Sequence, residues 1–312
     1  MQRFKNILLV LDPEAQETAA LDKAVSLARQ NAARLTLFSV VYRHPDLRRY
    51  PDSVGESLMD PLVAERQQWL RGFLPTLQGQ DIGRVSVVVA AGIPFLGIIR
   101  EVLREQHDLV ITTAEEKKGI RARVFGATSM HLMRKCPCPV WVVKRAQARP
   151  YARILAAVDP SPYDPKRDSL SALVLQLAGS MARREAAGLH IVHVWHMFGE
   201  SYVRRGGMTG AEVEEAKALE KLQQKQRFDL LLGQSDVADL KPCLHFIEGY
   251  PDERIPELVV EQDIDLLVMG TVCRTGVAGF LIGNTAEEVL NQVDCSVLTL
   301  KPEGFVTPVT LE

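Results

Sequence analysis

The chain of 312 residues carries one pattern twice, and that duplication limits its fold more than any other feature. Lys5-Asn-Ile-Leu-Leu-Val-Leu-Asp12-Pro13 is matched by Ala152-Arg-Ile-Leu-Ala-Ala-Val-Asp159-Pro160, an offset of 147 residues. Arg34 to Val41 matches Gly188 to Trp195 at an offset of 154. From Gly92-Ile-Pro94 and Gly249-Tyr-Pro251 onward the offset is 157 and holds without a gap. It pairs Asp108 with Asp265, Gly119 with Gly276, Gly126 with Gly283, Thr128 with Thr285, Cys138 with Cys295 and Val140 with Val297. The chain thus divides into residues 1–150 and 151–312, each of ordinary domain size.

Each half reads as strand and helix in strict alternation, with five strands and four helices. In the first half the expected strands fall near 5–11, 34–41, 84–90, 108–113 and 139–144, and the helices near 15–31, 60–79, 95–107 and 126–136. Leu21, Ala24, Val25 and Ala28 recur at helical spacing, as do Leu170, Val174, Leu177, Ala178 and Met181. The strands are near-continuous runs of Val, Ile and Leu, the pattern of parallel strands covered on both faces. The fold expected is therefore α/β, with a doubly wound, Rossmann-like parallel sheet in each half and right-handed crossovers. The last strand of each half would leave an edge open, and pairing the two across the halves would close both.

Composition narrows the setting. With 46% hydrophobic, 24% charged and 6% aromatic residues, the chain reads as an ordinary globular protein. Its longest apolar runs are far too short to span a bilayer, and five cysteines, an odd number, fit a reducing compartment. A cytoplasmic location is expected, with neither a membrane nor a nucleic acid as partner. The formal charge of −2 splits into +7 for residues 1–150 and −9 for 151–312. The two halves attract each other, the first half faces an anionic partner, or the charges lie on solvated surfaces.

The stretch from Gly270 to Glu287 is the leading candidate site. It follows the apolar strand Asp265-Leu-Leu-Val-Met269 and leads into the helical Glu287-Glu-Val-Leu-Asn-Gln-Val293. Strand, glycine-bearing loop and helix is the order that aims backbone N–H groups at an anion. Asp12 and Asp159, at the ends of the two first strands, stand where ligands bind on such sheets.

These features resemble the universal stress protein family: the Asp ending the first strand, the Gly-x-Pro before the third helix, the glycine loop after the fourth strand, and Cys-Pro-Cys-Pro-Val or Cys-Ser-Val entering the last strand. The resemblance runs over nearly the whole chain, twice, as in a tandem, E-type member. It implies two domains packed as a pseudo-dimer, with ATP or AMP at the strand ends and no metal beyond a nucleotide-associated magnesium. The family loop is Gly-x2-Gly-x9-Gly-Ser/Thr. Here Gly270 and Gly283 match, while Cys273 replaces the middle glycine and Asn284 the hydroxyl residue. If position 273 requires positive φ, the Cys costs roughly 1 to 2 kcal/mol there. By resemblance, Asp159 and Val194 line the adenine and ribose end, Gly270, Arg274, Gly283, Asn284, Thr285 and Ala286 approach phosphate, and Met269 belongs to the same nucleotide-binding set. The first-half counterparts, Asp12, Val40, Thr113, Gly126 and Ala127, form a degenerate copy, in which Glu116 takes the middle glycine's place. Its loop is nonetheless basic at Lys117, Arg121 and Arg123, and Arg43, Arg48 and Arg49 follow the second strand, a rim able to hold an anion or merely a solvated face.

Other clusters read as structural. His190, His193 and His196 lie on and after one strand, but the period of two sends His193 to the opposite face, so no metal is expected of them. Cys136 and Cys138 read as packing rather than redox groups, and Glu212, Glu214 and Glu215 favour a helix dipole. Arg204 to Gly207 lies in a long connection of the kind that carries binding loops. No Gly-x4-Gly-Lys-Ser/Thr, Gly-x-Gly-x2-Gly or Gly-x-Ser-x-Gly motif is present, so an enzymatic role narrows to slow ATP hydrolysis. A nucleotide-binding stress-response module, that slow ATPase, and a scaffold with an empty site are the three readings. Association of two chains into a homodimer is not legible, and the tail offers Phe305, Val306, Val309 and Leu311 for docking.

Overall fold

The computed structural model describes residues 3–15, 18–43, 52–114, 125–144, 150–160, 165–197, 209–271 and 283–311. The first half contributes β1 (Asn6–Val10), β2 (Arg34–Tyr42), β3 (Arg84–Gly92), β4 (Leu109–Thr113) and β5 (Val140–Val143). The second contributes β6 (Arg153–Ala157), β7 (Gly188–Trp195), β8 (Cys243–Glu248), β9 (Leu266–Gly270) and β10 (Ser296–Leu300). Between them run α1 (Thr18–Asn31), α2 (Asp52–Arg71), α3 (Leu74–Leu77), α4 (Pro94–Glu105), α5 (Ala127–Lys135), α6 (Pro165–Glu185), α7 (Gly210–Gly233), α8 (Pro251–Glu261) and α9 (Asn284–Gln292).

The strands form a single sheet in the order β3-β2-β1-β4-β5-β10-β9-β6-β7-β8. Within each half the strands are parallel, and the doubly wound α/β architecture expected from the alternation is present twice. The halves join where β5 and β10 pair antiparallel, with Trp141 opposite Leu298. That junction closes the two edges that the last strands would otherwise expose.

Because alternate side chains leave opposite faces of a strand, the sheet separates two apolar cores, and each runs through both halves. Ile7, Leu9, Trp141, Ile154 and Leu298 face one, against α1, α6 and α7. Leu8, Val140, Val142, Leu155 and Val297 face the other, against α4, α5, α8 and α9.

Two helices differ from expectation. The helix expected over 60–79 begins earlier, at Asp52, carries Pro61 in its interior, and divides after Arg71. Gly72 follows there, and Pro75 sits in the first turn of α3, where a missing N–H is tolerated. The helix expected from Glu287 instead starts at Asn284, which draws the residues assigned to phosphate into its first turn.

The charge split is expressed at the junction. Lys23–Glu185, Arg134–Glu287 and Lys144–Asp294 each take their base from the first half and their acid from the second. Lys23 and Glu185 are both buried, 2.9 Å apart. Glu185 also accepts from the Tyr151 N–H at 3.1 Å and from the neighbouring Arg184. The Lys23 ammonium lies over the Tyr151 ring, whose hydroxyl accepts from Trp141 Nε1 at 3.2 Å. Burial lowers the pKa of Lys23 more than Glu185 raises it. For Glu185 burial acts upward, but Lys23 and Arg184 together outweigh it and hold the carboxyl below its ordinary value. The tail returns to the first half: Arg100 donates to the Thr310 carbonyl at 3.0 Å and Val309 is buried, while Val306 and Leu311 stay exposed.

At the end of β9 the backbone meets α6 closely. A Cβ on Gly270 would stand 2.6 Å from Leu170 Cδ2 and 3.0 Å from its Cγ. Leu170 is itself buried, so it has little room to turn aside.

Two outcomes follow from this packing. Glu185→Gln should cost about 3 kcal/mol in denaturant unfolding, and Lys23→Met less, because removing the acid strands two buried cations whereas removing the lysine leaves Glu185 its other donors. A carboxyl with a lowered folded pKa stabilises fully above its ordinary value of 4.5, so the gap between wild type and Glu185→Gln should be full above that pH and close as the pH falls further. A gap that widens in acid would be inconsistent with the pairing. Gly270→Ala should lose about 1 to 3 kcal/mol by overpacking, and a second change, Leu170→Ala, should cost less in that variant than in wild type. Strict additivity of the two would refute the contact.

Candidate functional site

The second-half sheet has the order β10-β9-β6-β7-β8, so the connections diverge between β6 and β9. That is the point at which an open α/β sheet leaves a crevice at the carboxyl ends of its strands. β6 feeds Val158, whose N–H donates to the Val192 carbonyl at 3.0 Å, and then Asp159. The Asp159 backbone N–H donates to Ser171 Oγ of α6 at 3.2 Å, which fixes the turn, and the residue is exposed. Val194 at the end of β7 and Met269 at the end of β9 are both buried and belong to the core beneath α8 and α9.

Gly283 precedes α9 with φ −58° and ψ 137°, and among the described residues no side chain caps the helix. The first intrahelical bond runs from the Glu287 N–H to the Gly283 carbonyl at 3.1 Å. The N–H groups of Asn284, Thr285 and Ala286 therefore have no acceptor within the helix and carry the positive end of its dipole. Asn284 and Thr285 are exposed and Ala286 is buried, so the turn presents two polar side chains outward. Glu287, the acid of this first turn, is engaged by Arg134 of α5. Further along, Glu288 lies against Asp252, and that carboxylate contact raises its pKa. Thr271, just past β9, is fully buried, and its hydroxyl accepts from Lys301 Nζ at 2.6 Å. Lys301 also donates to the Met133 and Arg134 carbonyls, at 2.7 and 3.0 Å, near the carboxyl end of α5. A cation there complements the helix dipole.

Of the residues assigned to the second-half site, Asp159, Val194, Met269, Gly270, Gly283, Asn284, Thr285 and Ala286 thus all lie at the carboxyl ends of the strands or in the first turn of α9. Cys273 and Arg274 lie outside the described residues, as do Arg48, Arg49, Lys117, Arg121, Arg123 and Arg204 to Gly207. Gly270 acquires a second explanation, since its missing side chain is what lets Leu170 pack against the strand end.

The first-half counterparts differ. Asp12 spends its carboxylate on a local turn, accepting from the Glu14 N–H at 3.0 Å. Val40 is half-buried, and Thr113 puts a branched side chain where the second half has Gly270. Its hydroxyl is buried without a partner among the described residues. Gly126 again precedes an uncapped helix, α5, but it is buried next to the buried Phe125 and is followed by Ala127, which offers no polar group.

The remaining clusters resolve as follows. His193 faces away from its two neighbours, within 3.2 Å of the Val158 carbonyl and of Gln224 Oε1, and the His196 ring meets that of Tyr250 at a tilt of 41°. His190 meets instead His245 of β8, a partner that periodicity along one strand does not disclose. Cys136 and Cys138 are buried with sulfurs 3.6 Å apart; the contact and burial raise the Cys138 pKa, and burial pushes Cys295 up to about 12. Thiols so placed are poor nucleophiles. Glu212 closes a capping box with Thr209, which donates to it through its N–H at 2.7 Å. Among the described residues no helix is long and apolar enough to cross a membrane.

Known proteins bear the same stamp. The Universal stress protein family matches the chain twice, over residues 3–144 and 150–301. Universal stress protein E of Salmonella typhi is 29% identical, covering 100% of this chain and 99% of that one. The protein of that name from Escherichia coli K12 is 27% identical, covering 100% and 98%. A solved structure of a functionally unknown protein, PA1789 of Pseudomonas aeruginosa PAO1, is 30% identical and superposes with a TM-score of 0.67 over 97% of this chain and 94% of that one. A putative universal stress protein from P. aeruginosa UCBPP-PA14 is 28% identical, with a TM-score of 0.68 over 97% and 95%. With two copies of the family's domain in one sheet, this chain belongs to the universal stress protein family.

Proposed function

We propose that the second half holds a phosphate-bearing ligand, an adenine nucleotide first among them, and that the protein serves a stress response as a binding module. The observation that carries this is the amino end of α9, which has a glycine at its cap position and follows β9, one of the two strands at the switch point. Three backbone N–H groups and a helix dipole favour an anion there. The Asn284 amide and Thr285 hydroxyl stand beside them as further donors. The Asp159 carboxylate accepts hydrogen bonds and suits a ribose hydroxyl or an exocyclic amine, and Val194 and Met269 suit the face of a base. A magnesium ion would accompany the nucleotide through its phosphates, with Asp159 the nearest carboxylate in role. Among the described residues the first half does not match this set, because Asp12 accepts within a local turn and Gly126 is buried.

Gly283 offers a clean test because its φ is negative, so other residues fit its backbone. Gly283→Asp supplies the missing cap, occupying the free N–H groups with a carboxylate. Its folding stability should hold or rise by a few tenths of a kcal/mol. ATP, AMP and inorganic phosphate are titrated calorimetrically into the full chain, into Gly283→Asp and into the first-half control Gly126→Asp. Binding of at least one of the three ligands to the wild type, weakened tenfold or more by Gly283→Asp alone, supports the proposal. Absence of binding in the wild type, or binding indifferent to Gly283→Asp, overturns it.

A further inference from the structure

We propose that His190, Cys243 and His245 form a binding site for a single Zn2+ ion at the outer edge of the second half. Their ligand atoms all lie within 4.8 Å of one another. The sheet register brings them together: His190 pairs with Cys243, and Val192 with His245. Residues two apart on a strand share a face, so Cys243 and His245 of β8 flank the imidazole of His190 on β7 from the same side. His190 Nδ1 and His245 Nε2 stand 3.0 Å apart, and the two rings are nearly parallel, at 7°.

This donor set suits zinc. Two imidazoles and a thiolate with an open fourth position is the arrangement of a three-ligand zinc site completed by water. Tetrahedral zinc with nitrogen ligands near 2.0–2.1 Å holds them about 3.3 Å apart, so the two histidines need separate by only a few tenths of an ångström. The Cys243 thiol is free and exposed, with its sulfur within 4.8 Å of both histidine ligand atoms. β8 is the edge of the sheet, which leaves the fourth position open to solvent. Burial lowers the pKa of both histidines. Glu261, facing His245, favours a cation. Arg153 opposes one, but its guanidinium is drawn to Asp263 and the Gln262 carbonyl, both at 3.0 Å.

On binding, the Cys243 thiol releases its proton to solvent and its sulfur bonds to the ion, while each histidine contributes a lone pair. No redox change is involved. The ion would clip the outermost strand to its neighbour near the amino ends of β7 and β8, at the end of the sheet opposite the nucleotide crevice. The two sites therefore stand or fall separately.

The test uses tag-free full-length chain freed of metal with a chelator. ZnCl2 is titrated in competition with a chromogenic chelator, and Co2+ serves as the spectroscopic probe. Expected are one Zn2+ per chain, a thiolate-to-cobalt charge-transfer band, and a thermal midpoint raised by Zn2+. Cys243→Ser should remove the band and weaken Zn2+ at least tenfold, and His245→Ala should abolish the midpoint shift. Circular dichroism and metal-free melting check that both variants, which alter an exposed and a half-buried edge residue, retain the fold. Less than stoichiometric Zn2+ on the wild type, or Zn2+ held equally by folded variants, would overturn the proposal, the latter placing the ion on other cysteines.

Discussion

The antiparallel pairing of β5 with β10 is the constraint on which the rest of the molecule depends. A doubly wound half-sheet of five strands has an edge at its last strand, and a parallel neighbour there would need another crossover. Two copies turned toward each other solve this by pairing like with like: Val142 with Val297, Trp141 with Leu298 and Val140 with Thr299. All six residues are buried, so the junction is as much core as any other strand pair. The helices of both halves then close over shared cores. Neither half would keep its surface if the other were removed.

Duplication within one chain also frees the two halves from symmetry. In a homodimer every substitution occurs twice, so a basic substitution on one subunit's side of the junction is repeated on the other's. Here the first half has become basic and the second acidic, and the cross-junction ion pairs among the described residues share one polarity. The exposed pairs contribute little to stability, since solvent screens them. Their orientation specifies which surfaces meet. Lys23 and Glu185 differ because they are buried, and the dense set of hydrogen bonds on Glu185 is what makes their desolvation tolerable.

The architecture was legible because its signals are local and repeated. Apolar runs at Ile7 and Ile154 mark strands, alternation with helical patterns marks a parallel sheet, and the constant offset of 157 shows the second copy. Helix ends were less so. Asn284 starts α9 without a capping side chain, leaving no sequence signal at the true boundary. The His190 cluster escaped because its members are 53 and 55 residues apart in the chain and meet only through the register of β7 and β8. The alternation of Cys243 and His245 on an edge strand was the one available hint.

Gly270 and Gly283, the two loop glycines that match the family pattern, carry unequal weight as evidence for a ligand. Gly270 is accounted for by Leu170, since any Cβ there collides with α6 whether or not an anion is bound. In the first half Thr113 occupies the same position, so the fold itself accommodates a branched residue there once the packing helix differs. Gly283 differs, in that its φ suits any residue and it stands at the cap position of α9, where Ser, Asp or Asn stabilise a helix. A glycine at that position forgoes a side-chain cap and leaves the N–H groups of Asn284, Thr285 and Ala286 without an acceptor inside the helix, the feature on which the proposed anion site rests.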